Sequence, residues 1–183
     1  MRVNTGSAKG RGIRTLAGED VTRPTTQKAK EGIFSALQFH VPGAEMLDLF
    51  AGSGQMGIEA LSRGASRCVF VDSSREAAEV IKENLKTMGL FKQARVAQTD
   101  GVRYAENCAS RFDIIYCDPP YRKGLCGKVL PHMGKMLNEG GFAALETEKG
   151  CAMPDECNGL TLKKCYNYGN TSIWLYVKEE TAE

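Results

Sequence analysis

Asp48-Leu49-Phe50-Ala51-Gly52-Ser53-Gly54-Gln55-Met56-Gly57 is the stretch on which the fold turns. Glu45 to Phe50 is a short, mostly apolar run of the kind that makes a buried strand. Gln55 to Ser62 follows with helical spacing. Between them Gly52, Gly54 and Gly57 spell G-x-G-x-x-G, in the strand–turn–helix setting where that pattern means a nucleotide-type ligand. Glycine has no Cβ, so the backbone can take positive φ and pass close to a bound molecule.

Reading outward, Arg67 to Asp72 is a second strand, and its terminal acid falls 24 residues after Asp48. An acid at that place suits a ribose diol. Ser73-Ser74-Arg75-Glu76 has the form of a capping box, and Ala77, Ile81, Leu85 and Met88 line one side of the helix it opens. A third strand, Ala94 to Gln98, leads to Asp100, which stands at a strand end and can also cap a helix starting near Gly101. Alternating strands and helices predict an α/β chain with a mostly parallel sheet. Asp48, just ahead of the glycine turn, would repel the two phosphates of a dinucleotide. S-adenosylmethionine has no phosphate and carries a sulfonium and an ammonium group, so an acid there attracts it. The expected cradle is Asp48, Phe50, Ala51, Gly52, Gly54, Asp72, Ser73, Asp100 and Gly101.

Phe112-Asp113-Ile114-Ile115-Tyr116-Cys117-Asp118-Pro119-Pro120-Tyr121 supplies the other half of a site. Its apolar run reads as a parallel strand, and the two prolines, lacking amide hydrogens, end it. One carboxylate, a rigid backbone segment and one aromatic ring are left at the carboxyl end of that strand, the edge where open α/β sheets bind ligands. Tyr121 can stack on a flat base, while Asp118 and the Pro119 carbonyl can accept hydrogens from its amine; Pro120 completes the turn. Lys123 to Leu137 then reads as a helix despite Pro131, Asn138 to Gly141 as its stop, and Phe142 to Glu146 as a fifth strand. Cys151 to Gly159 lacks helical period, so any crossover helix there is short or absent. Leu160 to Tyr166 and Thr171 to Val177 form a hairpin at the sheet edge.

At the amino end, Arg2-Val3-Asn4 and Gly12 to Leu16 can pair around a turn from Gly6 to Gly10. Residues 1–24 are expected as a basic β-hairpin extension and residues 25–183 as the main domain. Pro24 punctuates the chain, Thr25 or Thr26 caps a helix from Gln27 to Gln38, and Lys28 and Lys30 face outward from it. Residues 1–30 hold seven Lys/Arg against two acids, so a net charge of +2 conceals a basic arm on an acidic body. That asymmetry is the footprint of a phosphate-backbone partner or of an ordinary solvated charged face; on the first reading Lys9, Arg11, Arg14, Arg23, Lys28 and Lys30 are the contacts.

Composition sets the outer bounds. A chain of 183 residues, 42% hydrophobic and 25% charged, suits one soluble domain, cytoplasmic by default. No stretch is long enough to span a membrane, and no apolar signal segment opens the chain. Seven scattered cysteines without a C-x-x-C pair argue for reduced thiols, and with only His40 and His132 no metal site is expected. Cys117 is expected as a buried structural thiol.

These motifs together resemble the RsmD-type family of bacterial 16S ribosomal RNA guanine-(2-amino) methyltransferases over nearly the whole chain. The matching pieces are Gly6 to Arg11, Arg23 to Phe34, Asp48 to Gly54, Glu59 to Ala65 and Asp118 to Tyr121. Asp-Pro-Pro-Tyr alone is shared with DNA adenine and protein glutamine methyltransferases. Gln27, Lys28, Lys30 and Gln55 depart from the family pattern. The resemblance implies a class I, Rossmann-like S-adenosylmethionine-dependent methyltransferase with a seven-stranded sheet, an antiparallel final hairpin and 16S rRNA as partner. A monomer is expected. An NAD-dependent oxidoreductase and a non-catalytic RNA-binding module are the rivals from other classes. Asp48 and Asp118 to Tyr121 argue against the first; the second would tolerate loss of the acids around the glycine loop, and binding of the methyl donor would count against it.

Overall fold

The computed structural model describes residues 1–16, 25–121 and 124–179. Helix α1 (Thr25–Ala36) is followed by β1 (Glu45–Leu49), α2 (Gln55–Ser62), β2 (Arg67–Asp72), α3 (Arg75–Met88), β3 (Ala94–Gln98) and α4 (Gly101–Asn107). Then come β4 (Phe112–Cys117), α5 (Leu125–Met136), β5 (Leu137–Glu148), β6 (Glu156–Cys157), β7 (Leu160–Tyr168) and β8 (Thr171–Lys178). The sheet order is β3-β2-β1-β4-β5-β8-β7-β6. β3, β2, β1, β4 and β5 run parallel, and β8, β7 and β6 join antiparallel.

The alternating strand pattern sorts the core into two layers. Met46, Phe70, Ile114 and Ala144 pack under α1, α2 and α3. Leu47, Leu49, Val69, Ile115 and Ala143 pack under α4 and α5 on the opposite face. Each large side chain fully buried this way contributes about 1.5–3 kcal/mol. The order in which strands are added, outward through β2 and β3 and then through β4 and β5, therefore reverses between β1 and β4, the switch point at which doubly wound sheets open a ligand crevice.

The α/β architecture with its antiparallel end is the one expected, but there are eight strands, not seven. The additional strand, β6, is a two-residue pairing of Glu156 and Cys157 with β7, formed where the chain from Cys151 to Gly159 was expected to lack a full helix. β5 also begins earlier than expected. The Asn138–Gly141 stop does not end an element but bulges out between the pairs Phe112–Leu137 and Ile114–Phe142, with Gly140 at φ 72°. The cap of α3 is Ser74, whose side chain accepts from Ala77 N–H, one residue later than the capping box implies.

The amino-terminal residues do form a hairpin, with one antiparallel bridge between Arg2 and Gly12 and glycines of positive φ at 6 and 10. It is bound firmly to the body. Val3, Ala8 and Ile13 lie in the same apolar layer as α1 and α2. Glu59, fully buried on α2, accepts from the backbone N–H of Asn4 (2.8 Å) and Thr5 (3.1 Å) and from Arg63 Nε (2.8 Å). A backbone turn is thereby held by one carboxylate 54 and 55 residues away.

Candidate active site

Four carboxylates converge on one face at the carboxyl edge of the sheet. Asp48 and Phe70 are register partners, as are Asp48 and Tyr116, and Tyr116 and Ala144. Side chains two residues apart on a strand share a face. Asp72, Asp118 and Glu146, each two residues beyond Phe70, Tyr116 and Ala144, thus stand on the same face as Asp48 and about 7 Å nearer the edge. β1 does not continue alongside them. Phe50 takes φ 64°, a conformation uncommon outside glycine, and turns the chain toward β2, where Ala51 N–H bonds Val71 C=O at 2.9 Å. The result is a notch with Asp48 at its floor, Asp72 on one rim and Asp118 on the other.

The Asp72 rim is built by backbone donors. Asp72 accepts from Gly52 N–H and Ser74 N–H, both at 2.9 Å, so one carboxylate ties the glycine turn to the start of α3. Thr99 N–H reaches Asp72 C=O at 3.0 Å and carries Asp100 to the same edge, where its side chain caps α4 through Arg103 N–H. Gly101 is required there, since a Cβ would fall 2.5 Å from the Phe50 ring. Gly57 answers the same demand on α2, with a Cβ that would meet the Phe70 ring at 2.3 Å. Gly54 caps α2 at φ 80°, Ser73 is exposed beside Ser74, and Gly52 turns at φ 53°.

Asp48 is only 2% exposed and accepts from Gly57 N–H at 2.8 Å. Burial raises its pKa to about 7; the Gly57 bond opposes the shift and the charge of Asp72 adds to it. A fixed cation in the notch would reverse that shift, which makes the floor a receptor for positive charge.

On the other rim, Asp118 extends the β4 ladder through its N–H to Leu49 C=O at 3.3 Å. Pro119 and Pro120 end the pairing, and the Tyr121 ring lies half-buried with its hydroxyl 3.0 Å from Glu146 Oε1 and 3.0 Å from Thr171 Oγ1. Tyr116, fully within the core, donates to the other Glu146 oxygen at 2.6 Å. Burial, the largest cause, drives both phenols well above the usual tyrosine range, and Glu146 pushes the same way. Tyr121 therefore keeps its proton and donates a hydrogen bond to Glu146, which leaves the Thr171 hydroxyl to donate to the phenol oxygen. Glu146 is 1% exposed and was read from sequence only as the last residue of a strand. Its signal is an acid closing an otherwise apolar buried strand, a combination that demands a partner.

The basic residues divide. Lys9 and Arg11 are exposed, with Arg11 bonded to Thr87 C=O, and Arg14 pairs with Glu83 on α3. Lys28 is exposed on α1. Lys30 corrects the expectation of an outward cation. It is 2% exposed, with its ammonium 3.7 Å from Glu59, and burial lowers its pKa while Glu59 opposes the shift. α1 begins at Thr25, and Lys30 falls on its buried side with Ala29, Ile33 and Phe34. Arg23 lies outside the described residues. Among those described, no group of three or more His, Cys, Asp or Glu side chains is placed to hold a metal, and no helix is long and apolar enough to cross a membrane. Cys117 is a fully buried free thiol.

Residues 1–177 match a family model described as "Conserved hypothetical protein 95". The chain is 41% identical over 183 residues to "Putative rRNA methyltransferase YlbH" of Bacillus subtilis, covering 97% of this chain and 99% of that protein. It is 31% identical over 154 residues to "Ribosomal RNA small subunit methyltransferase D" of Haemophilus influenzae, covering 81% and 79%. Among solved structures, "Putative methyltransferase yhhF" of Escherichia coli superposes with TM-score 0.85 at 27% identity, covering 99% of both chains. A Streptococcus mutans structure, "A putative sam-dependent methyltransferase", superposes with TM-score 0.68, covering 84% and 48%; at 14% identity the likeness is one of fold alone.

Proposed function

We propose, from the premise that the chain belongs to the RsmD-type family of ribosomal RNA methyltransferases, that it moves a methyl group from S-adenosylmethionine to the exocyclic 2-amino group of a guanine in 16S rRNA. The observation that carries this reading is the notch: a buried carboxylate at its floor, with Asp72 on one rim and the Asp118–Tyr121 turn on the other.

The donor suits the residues present. Asp48, with its raised pKa, gains from a cation and would repel a diphosphate. Asp72 at the end of β2 suits a ribose diol, Asp100 an adenine amine, and the Phe50 ring a flat apolar neighbour. When bound, the donor supplies a methyl carbon made electrophilic by positive sulfur.

Asp118 and the Pro119 carbonyl accept the two amine hydrogens of the base, which holds the nitrogen pyramidal and aims its lone pair across the notch. Tyr121 stacks on the ring, and Glu146 and Thr171 fix the angle of Tyr121 through its hydroxyl. With the donor held by the opposite rim, its methyl group would pass to the amine nitrogen and the carbon–sulfur electrons would stay on sulfur; the excess amine proton would leave to Asp118 or water. Positioning and electrostatics account for the rate, with no covalent enzyme intermediate. The target base must leave its stack to reach the notch. Lys9, Arg11, Arg14 and Lys28 offer charge to the phosphates around it.

Incubation with methyl-labelled donor and small-subunit RNA, bare or protein-loaded, followed by digestion to nucleosides, tests the reading. Label in N2-methylguanosine is the expected result. Label in adenosine, or in DNA or protein alone, overturns it.

A further inference from the structure

We propose that the strip between α1 and β7 is a track for the unpaired RNA that leads into the site, with Tyr166 and Tyr168 stacking bases and Lys28, Lys163 and Lys164 holding phosphates. The inference rests on the reading of the protein as an RNA methyltransferase and adds where the flanking nucleotides lie.

The track is made by an irregularity in β7. Its register against β8 slips between Leu162 and Lys164. In a regular strand Lys163 and Lys164 would point to opposite faces. The extra residue brings both to the face that carries the notch: Lys163 Nζ lies 5.1 Å from the Phe142 ring centroid and Lys164 Nζ 5.0 Å from that of Tyr166. Tyr166 and Tyr168 follow on that face with nearly parallel rings, 6.5 Å between centroids and 13° between planes. Both lysines are exposed and both tyrosines are half-buried.

Helix α1 borders the track and is shaped for it. A Cβ at Gly32 would fall 1.8 Å from the Tyr168 hydroxyl, so only a bare backbone lets that tyrosine rest against the helix. Lys28 lies one turn earlier on the same flank, exposed. The acid of this helix, Glu31, is turned the other way, to Gln27 and Asn4.

Continuity with the notch is direct. Tyr168 is the register partner of Thr171, and Thr171 Oγ1 is 3.0 Å from the Tyr121 hydroxyl. A strand whose target base stacks on Tyr121 has its neighbours over Tyr168 and Tyr166, and its phosphates between the lysines. Aromatic rings on a sheet bordered by cations are a means of holding unpaired bases without reading their sequence.

Steady-state transfer to an RNA substrate, with Tyr168→Leu, Tyr168→Trp and the pair Lys163→Gln/Lys164→Gln, tests the track. Tyr168→Leu is expected to raise the RNA KM about 5- to 160-fold, the range of one stacked base, with donor affinity unaltered by calorimetry, and Tyr168→Trp to restore it. The lysine pair is expected to lower the slope of log affinity against log salt by about 1.4. An unchanged KM and an unchanged salt slope overturn the track. Should Tyr168→Leu fail to fold, the exposed lysine pair decides alone. If the wild type transfers no methyl group to any RNA, the reading of the reaction fails instead. Anisotropy with a short unpaired RNA then decides the track: equal binding by wild type and lysine pair overturns it, and weakened binding by the pair supports it.

Discussion

The β1–β2–β3 side of the notch and the β4–β5–β8 side are held by different bonds. On the first, carboxylates take backbone N–H groups 2 to 20 residues away: Asp48 from Gly57, Asp72 from Gly52 and Ser74, Asp100 from Arg103. On the second, side chains meet side chains across 25 to 50 residues: Tyr116 and Tyr121 on Glu146, and Tyr121 with Thr171. A carboxylate on backbone amides fixes the path of a loop. A phenol on a carboxylate fixes the angle of a ring. The first suits a site that must hold a flexible charged ligand, and the second a site that must present a flat one.

Substitutions on either rim should therefore fail differently. Asp118→Ala is expected to reduce transfer about 1,000-fold while calorimetric affinity for the demethylated donor stays within a factor of two. Equal loss of both would mean that the two sides are one unit. Asp48→Asn addresses the floor through pH. The folded-state pKa of about 7 lies above the ordinary 3.8, so the native state keeps a proton that the unfolded chain gives up near pH 4. The stability this group contributes is complete below about pH 4 and is lost as pH rises toward 7. Asn keeps an acceptor for Gly57 and carries no charge, so denaturant titrations should show the variant gaining on wild type over that window by about 3 kcal/mol. A constant difference from pH 4 to 8 would sink the assignment.

Asp72→Ala frees two backbone donors and is expected to weaken donor binding about 30-fold with little effect on transfer at saturating donor. Glu146→Gln, the mildest, keeps the size and removes the charge-assisted bonds. About a tenfold fall in kcat is expected, with donor affinity unaffected. A matching loss of donor affinity would erase the contrast between the sides.

The same contrast explains what the sequence revealed. The glycine turn, Asp72 and the Asp100 cap stand at fixed spacings on consecutive strand–turn–helix units, so their places were legible from spacing, with the α3 cap misplaced by one residue. Glu146 and Thr171 belong to the site only because β5 and β8 align at the edge beside Tyr121, and nothing in a linear reading pairs residues 121, 146 and 171. Lys30 went wrong for a related reason. Its neighbours Lys28 and Gln27 are outside, but helical phase turns Lys30 inward, toward an anion on a helix that follows it by 29 residues. The extra strand escaped because a two-residue pairing has no periodicity to detect.

Glu59 gives the amino-terminal hairpin a standing that its basic composition conceals. Remove residues 1–13 and a negative charge sealed in a dry interior loses both amide partners, while Val3, Ala8 and Ile13 leave holes in the layer beneath α1 and α2. Stripping one side of a buried ionic cluster costs about 3–5 kcal/mol, a large share of what holds a domain together. A shortened product begun at a later methionine would be no lesser enzyme lacking a grip on nucleic acid but an unstable chain. Affinity tags and fusion partners accordingly belong at the other terminus.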